Sequence, residues 1–325
     1  MPTASARDRL LRFLAKDRPD KVRALLASLH HALYHVGLRA TSGPGPRVTV
    51  RIAADMAEIH RRLRDLAVIA TEGHVRQLLA DPRYQDRRRL PPFGGKVYSQ
   101  NDEDGIIQEI FARIGVRSRR FVEFGVEQGL ENNTLRLLLE GWSGLWLEAD
   151  TASVASIRRR FAAELAEGRL RVRQAFLDRD NINRLIGESD SGEIDLLSID
   201  IDGNDIHLLE ALRVVSPRLI VIEYNAKFPP PLSIAQAYEA GHRWRGGDYF
   251  GASLEAVARV AERRGYALVG CNITGANAFL VRQDLLGAHF CPPYTAENHY
   301  MPARYFLTAG LVAGHPADWG RYVAV

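Results

Sequence analysis

The sequence predicts an α/β protein built on a doubly wound parallel sheet, carrying a helical extension on its N-terminal side. Two observations from Lys96 onward point there. Short apolar runs alternate with amphipathic segments, and each run stops at acidic or glycine-rich residues. Such alternation brings each strand back through a helix, so the strands pair in parallel. The last two runs are separated only by NITGAN (272–277), too short for a crossover helix, so the sheet ends in an antiparallel hairpin.

Residues 1–95 read as the extension. Val22, Leu25, Leu26, Leu29, Leu33 and Val36 share one helical face, and TSGPGP (41–46) breaks that helix. In the longer helix that follows, Ile52, Met56, Ile59, Leu63, Leu66 and Ala70 alternate spacings of four and three, a heptad seam. The seam packs within the chain, onto the second domain, or onto a second copy to give a homo-oligomer. Arg61, Arg62, Arg64 and Arg76 make its solvated face. Few aromatics interleave with them, which argues against nucleic acid as a partner. DRRRLPPFGG (86–95) is the expected linker to a domain spanning 96–325.

In that domain IIQEIFARIG (106–115) is an amphipathic helix and Arg120–Gly125 the first strand. Leu145–Leu147 form the second, closing at Glu148. A charged helix over Ala152–Ala166 leads to the third, Leu170–Phe176, which ends near Asp178. Ile194–Ile199 make the fourth, terminated by DIDGND, and a helix over Ile206–Val214 leads to the fifth, Leu219–Ile222, terminated by EYNAKFPPP. A long loop (226–251), a helix (253–264) and the hairpin strands Ala267–Cys271 and Ala278–Val281 complete the domain.

Composition limits the function classes. With 325 residues, 46% hydrophobic, the chain can bury a full core. The net charge of +4 sits mostly in the N-terminal third and permits an acidic substrate without requiring one. Cys271 and Cys291 form no C-x-x-C, which fits a reduced, cytoplasmic protein. The charged N-terminal segment holds no signal-peptide core, and no run reaches the roughly 18 apolar residues of a membrane span.

The chemistry gathers at strand ends. FVEFGVEQGLENNT (121–134) is a strand running into a turn at Gly125 and Gly129, with a helix starting near Asn132–Thr134 that takes in Asn133. Such a turn lets backbone approach a nucleotide cofactor. Its pattern, Glu123-x-Gly125-x-x-x-Gly129, sets Glu127 where a dinucleotide site has its middle glycine. A carboxylate there repels a pyrophosphate and tolerates the sulfonium and ammonium of S-adenosylmethionine. Glu148 is placed to accept both ribose hydroxyls, with Asp150 as helix cap. Asp178 either accepts from the adenine amino group or caps the next helix.

Asp200, Asp202 and Asp205 crowd the fourth strand end, with Glu223 and Asn225 at the fifth. Such a group needs a positive partner: the donor's sulfonium, Lys227, or a divalent cation such as Mg²⁺. A cation would lower the pKa of an acceptor hydroxyl. Without one, Asp202, His207 or His242 is the candidate general base. Asp205 reads as a helix cap and His207 as a packed side chain. HRWRGGDYFG (242–251) is rich in aromatics and cations, and Arg243, Trp244, Arg245 and Tyr249 suit a lid over the acceptor.

Taken together, YSQNDEDGII, FVEFGVEQGLENNT, LWLEAD, IDLLSIDIDGND and VIEYNAKFPPP resemble the FkbM-type branch of class I S-adenosylmethionine-dependent methyltransferases, over about Tyr98 to Val281. The resemblance implies a seven-stranded sheet, six strands parallel and one antiparallel, with S-adenosylmethionine over the first three. It also implies O-methylation of a hydroxyl on a small-molecule or glycan acceptor, such as a sugar, glycolipid or glycosylated natural product. The family's Ser-Gln-x-x-Glu-Asp segment corresponds to Ser99, Gln100, Asp102 and Glu103, and its Asp-x-Glu-Gly to Asp200-Ile201-Asp202-Gly203. Similarity to metal-dependent O-methyltransferases implies Asp200, Glu223 and Asn225 as ligands of Mg²⁺. Two other readings use the same residues: a hydroxylase with a redox metal on the acidic cluster, and a non-catalytic scaffold assembled through the heptad seam.

Overall fold

The structure, a computed structural model, describes residues 46–307 and 314–325, so the expected helix over 22–36 lies outside the described residues. The chain divides into two compact units, Met1–Arg76 with Phe306–Ala313, and Gln77–Tyr305 with Gly314–Val325. The first is represented mainly by helix α1 (Pro46–Leu79), which runs unbroken through the heptad region. Ile59, Val68 and Ile69 are exposed on it, and the ring of His74 lies 6.0 Å from that of Phe306.

The second unit is built on a seven-stranded sheet. In chain order it contains α2 (Glu103–Ile114), β1 (Arg120–Phe124), α3 (Leu135–Leu139), β2 (Ser143–Glu148), α4 (Thr151–Arg160) and α5 (Ala162–Ala166). There follow β3 (Leu170–Gln174), α6 (Ile182–Gly187), β4 (Gly192–Ile199), α7 (Asp205–Ala211) and β5 (Val215–Glu223). Then come β6 (Ile234–Gln236), α8 (Leu254–Arg263), β7 (Tyr266–Cys271), β8 (Asn277–Arg282), α9 (Ala296–His299) and β9 (Tyr322–Ala324). The order is β3-β2-β1-β4-β5-β8-β7. β8 runs antiparallel to both β5 and β7, and the other pairs are parallel. This is the expected methyltransferase-like sheet.

The strands are apolar runs because both faces of the sheet are covered. Side chains alternate between faces along each strand. Val122, Leu197 and Ile220 pack with α6, α7 and α8 on one face. Phe121, Trp146 and Val221 pack with α2 and α3 on the other. The amino-terminal edge is fixed by Asp195, fully buried, which accepts the N–H groups of Arg117, Ser118 and Arg119.

The carboxyl ends are what position the site. Phe124 pairs with Leu147 on one side and Ile199 on the other, and Ile199 pairs with Ile222. The residues immediately after these, Gly125, Glu148, Asp200 and Glu223, therefore emerge side by side. The chain reverses direction across the sheet between β1 and β4, where open α/β sheets form their ligand crevice.

Three expectations differ. The charged helix is two helices, broken at Phe161 (φ −104°, ψ 32°), whose ring packs edge-on at 5.1 Å from Trp146. Segment 86–95 is not a free linker: Leu90 has no exposed surface, and the Arg113 guanidinium holds the carbonyls of Arg87 and Arg88. The long loop after β5 contains β6, which forms a small antiparallel sheet with β9.

Candidate active site

A cavity of about 540 Å³ opens over the carboxyl ends of the strands. On the β1–β2 side of the crevice, the turn after β1 is shaped by two requirements. Gly125 adopts φ +68°, and a Cβ there would lie 1.7 Å from the Asp200 carbonyl oxygen, so only glycine lets the turn cross the end of β4. Glu127 also takes a left-handed conformation (φ +48°), uncommon for a residue with a side chain. Its N–H donates to Glu148 Oε2 at 2.8 Å, and the Asp150 N–H donates to Oε1 at 2.7 Å. Those bonds fix the Glu148 carboxylate at the cavity wall, with further lone pairs open for hydroxyl donors.

Glu123 and Asn133 line the cavity and also brace it. Glu123 Oε1 accepts the Asn133 N–H at 2.8 Å, its Oε2 accepts the Thr134 hydroxyl, and Asn133 Nδ2 donates to Ser198 Oγ at 3.0 Å. Burial lifts the Glu123 pKa to about 7, against the opposing hydrogen bond from Thr134. Gln100 lines the mouth, on a segment anchored by acidic residues. Asp104 Oδ2 accepts the N–H groups of Val97, Tyr98 and Ser99. Glu103 accepts from Asn101, Asn272 and Asn277. The pair that organises this segment is therefore Glu103–Asp104, one position beyond the expected Asp102–Glu103.

At the β4 and β5 ends, Asp200, Asp202 and Glu223 bring carboxylate oxygens within 4.8 Å of one another. Asp202 takes φ +54°, and Asp205 holds the turn by accepting the N–H groups of Ile201 and Gly203, both at 2.8 Å. Burial first, and then the neighbouring carboxylates, push Asp200 and Glu223 well above the ordinary carboxylate range. Burial with Asp205 beside it lifts Asp202 to about 6. Glu223 Oε2 is buried without a hydrogen-bond partner. This floor therefore holds protons or a cation. Among the described residues no histidine joins the group.

His242 lines the same half of the cavity with a buried, unpartnered Nε2, and Arg243 and Trp244 stand beside it. The Arg243 guanidinium lies 5.0 Å from the Phe176 ring centroid. His207 is a packed side chain, its Nε2 2.7 Å from the Gln236 carbonyl.

Besides His207, Arg245 and Tyr249, four candidates fall outside the cavity lining. Gly129 serves packing: a Cβ would come 2.8 Å from the Trp146 ring. Asp178 accepts the N–H groups of Asp180 and Asn181, capping the turn before α6. Asn225 is 1% exposed and braces the loop after β5, donating to the Asp248 and Phe250 carbonyls at 3.0 Å. Lys227 pairs with Asp248 at 2.6 Å. Asp202 joins Asp200 and Glu223 in the carboxylate group. The sequence reading missed His315, which lines the cavity from a segment far along the chain. It also missed Asn272 and Asn277, which hold Glu103. No local pattern marks any of the three.

No family model matches the sequence, and no curated protein matches it. Solved structures of similar fold include an O-methyltransferase from Bacillus cereus in complex with S-adenosylhomocysteine (17% identity, TM-score 0.37, covering 65% of this chain and 89% of that one). Another is the N-terminal domain of EvdMO1 in the presence of S-adenosylhomocysteine and D-fucose (16%, TM-score 0.37, 62% and 96%). A third is the [4+2]-cyclase SpnF (12%, TM-score 0.35, 53% and 63%). Likenesses this distant leave the reaction to be read from the chain's own site.

Proposed function

We propose that the protein is an S-adenosylmethionine-dependent methyltransferase acting on a hydroxyl of a sugar, glycan or glycosylated natural product. The observation that carries this reading is the register of the strand ends, which sets a hydroxyl-accepting carboxylate (Glu148) and a carboxylate floor (Asp200, Asp202, Glu223) at two ends of one cavity. In this reading Glu148 accepts the ribose hydroxyls and Glu127 faces the cationic amino-acid end of the donor. Ala149 and Leu177, both lining the cavity, flank the adenine. Gln100 borders the amino-acid end.

The acceptor hydroxyl lies over the floor. The buried, partnerless oxygen of Glu223 and the clustered ligand atoms fit a hard divalent cation such as Mg²⁺, held by Asp200, Asp202 and Glu223. Such a cation lowers the pKa of a bound hydroxyl. The protein's own part is to orient the hydroxyl in line with the methyl group and to exclude water beneath Trp244. In this reading His242 takes the hydroxyl proton, a role supported by its buried Nε2 having no hydrogen-bond partner. A hydroxylase with two histidine ligands is disfavoured, since the described carboxylate group contains no histidine. Titration calorimetry with Mn²⁺ tests the cation. Wild type should bind one ion and Asp200→Asn none, while both bind S-adenosylhomocysteine. Equal Mn²⁺ binding by the two proteins would remove the floor from the cation site.

A further inference from the structure

The loop from β5 to α8 brings His242, Arg243 and Trp244 to the cavity, yet β6 is its single strand. Asn225 and Asn204 hold it from the sheet side, and segment 314–325 holds it from the other end of the chain. The Asp248 N–H donates to the Pro316 carbonyl at 2.9 Å, and the Asp318 N–H donates to Asp248 Oδ1 at 2.7 Å. The Arg321 carbonyl accepts the Ala237 N–H at 2.8 Å and the Tyr249 hydroxyl at 2.9 Å. β9 then pairs with β6. These anchors are spread along the loop from Ile234 to Tyr249, so the whole span is held at several points.

His315 stands at the head of this segment, against three rings. Its centroid lies 4.8 Å from Trp244 at 82°, 5.6 Å from Phe250 at 87°, and 5.5 Å from Tyr305. The contacts with Trp244 and Phe250 are edge-to-face, the preferred geometry of aromatic pairs, and the one with Tyr305 is tilted. The Trp244 indole N–H donates to the Gly247 carbonyl at 2.7 Å, so the indole is fixed at two places. It nevertheless remains 37% exposed, on the cavity side. Burial lowers the His315 pKa, against the opposing charge of Asp248, so its ring is neutral at pH 7 and packs as an aromatic.

We propose that segment 314–325 is a clasp that builds the acceptor wall of the cavity, and that His315 is the positioning residue that sets Trp244 over the acceptor. The assignment rests on the reading that the β4–β5 half of the cavity takes the acceptor. The wall is thus made by two stretches distant in sequence, whereas the cofactor half is made by the turns after β1 and β2, the segment just after β3 and Gln100, none of which lies in the clasp. Changes in the clasp therefore act on the acceptor side and leave the cofactor side intact.

Hydrogen exchange read by mass spectrometry on the full chain, without added ligand, tests this in His315→Ala and His315→Phe. In His315→Ala, peptides spanning 238–250 should exchange at least about tenfold faster than in wild type, while those over β1 and β2 stay unchanged. His315→Phe keeps an aromatic edge against Trp244 and should stay within about threefold of wild type. Unchanged exchange over 238–250 in His315→Ala would overturn the proposal. So would equal loosening of β1 and β2, which would make the segment a support of the whole domain. Failure of the protein to bind S-adenosylhomocysteine would end the methyl-transfer reading and leave these exchange rates as measured.

Discussion

Replacing Glu123 with glutamine separates a brace from a ligand contact. The side chain is 3% exposed, and both carboxylate oxygens are taken by Asn133 and Thr134, while Thr134 Oγ1 itself accepts the Trp146 indole N–H at 2.7 Å. Burial raises its pKa from 4.5 to about 7. A carboxyl whose folded pKa exceeds its unfolded value keeps its proton longer in the folded state. Its stabilising contribution is whole below pH 4.5 and is lost as pH rises to about 7. At about 1.4 kcal/mol per pH unit, that shift amounts to roughly 3 kcal/mol. Glutamine does not titrate, so Glu123→Gln lacks this loss. Urea unfolding of both proteins near pH 4.5 and near pH 8 should show the stability difference moving by about 3 kcal/mol in favour of the variant at the higher pH. Groups common to both proteins cancel in that difference. Affinity for S-adenosylhomocysteine should change less than about threefold, because the carboxylate already serves the loop. A stability difference equal at the two pH values would refute the reasoning.

Three further outcomes are expected. Gly125→Ala combines left-handed strain with a clash against the Asp200 carbonyl, so chemical denaturation should show a loss of roughly 2–4 kcal/mol, with cofactor binding abolished. Asp195→Asn disturbs the buried acceptor of three backbone N–H groups and its neighbour Arg218, at the sheet end away from the cavity. It should cost about 3–5 kcal/mol of stability yet leave cofactor affinity within about twofold in calorimetry on the folded protein. Asp202→Asn removes a carboxylate held near pKa 6 from the floor, and methyl transfer should fall by about two orders of magnitude while cofactor affinity holds.

The sheet was legible because strands covered on both faces must be apolar throughout, as in LLSI and LIVI, and because NITGAN leaves no room for a crossover. The strand-end acids were legible too, since a parallel sheet gathers the residues just past its strands along one edge. The features that resisted reading were set by tertiary contacts. Three-residue strands such as β6 and β9 are too short for a period to register. The break at Phe161 reflects the packing of its ring on Trp146, in a segment whose charges read as one continuous helix. Asn225 and Lys227 have the chemistry of site residues, but the fold commits them to Asp248 and Phe250. The left-handed backbone at Glu127 and Asp202 has no compositional signal, because glycine is the usual marker of such positions. His315 reaches the cavity through long-range contacts, the ring packing on Trp244 and Phe250 and the bonds of segment 314–325 to the β5–α8 loop.

Titration calorimetry of S-adenosylhomocysteine into wild type and Glu148→Ala examines the cofactor trough most directly. One molecule should bind per chain, and the variant should bind about ten- to a hundredfold more weakly, the cost of losing a charged acceptor for two hydroxyls. No binding by wild type, or equal binding by the two proteins, would contradict the assignment of this cavity to the methyl donor.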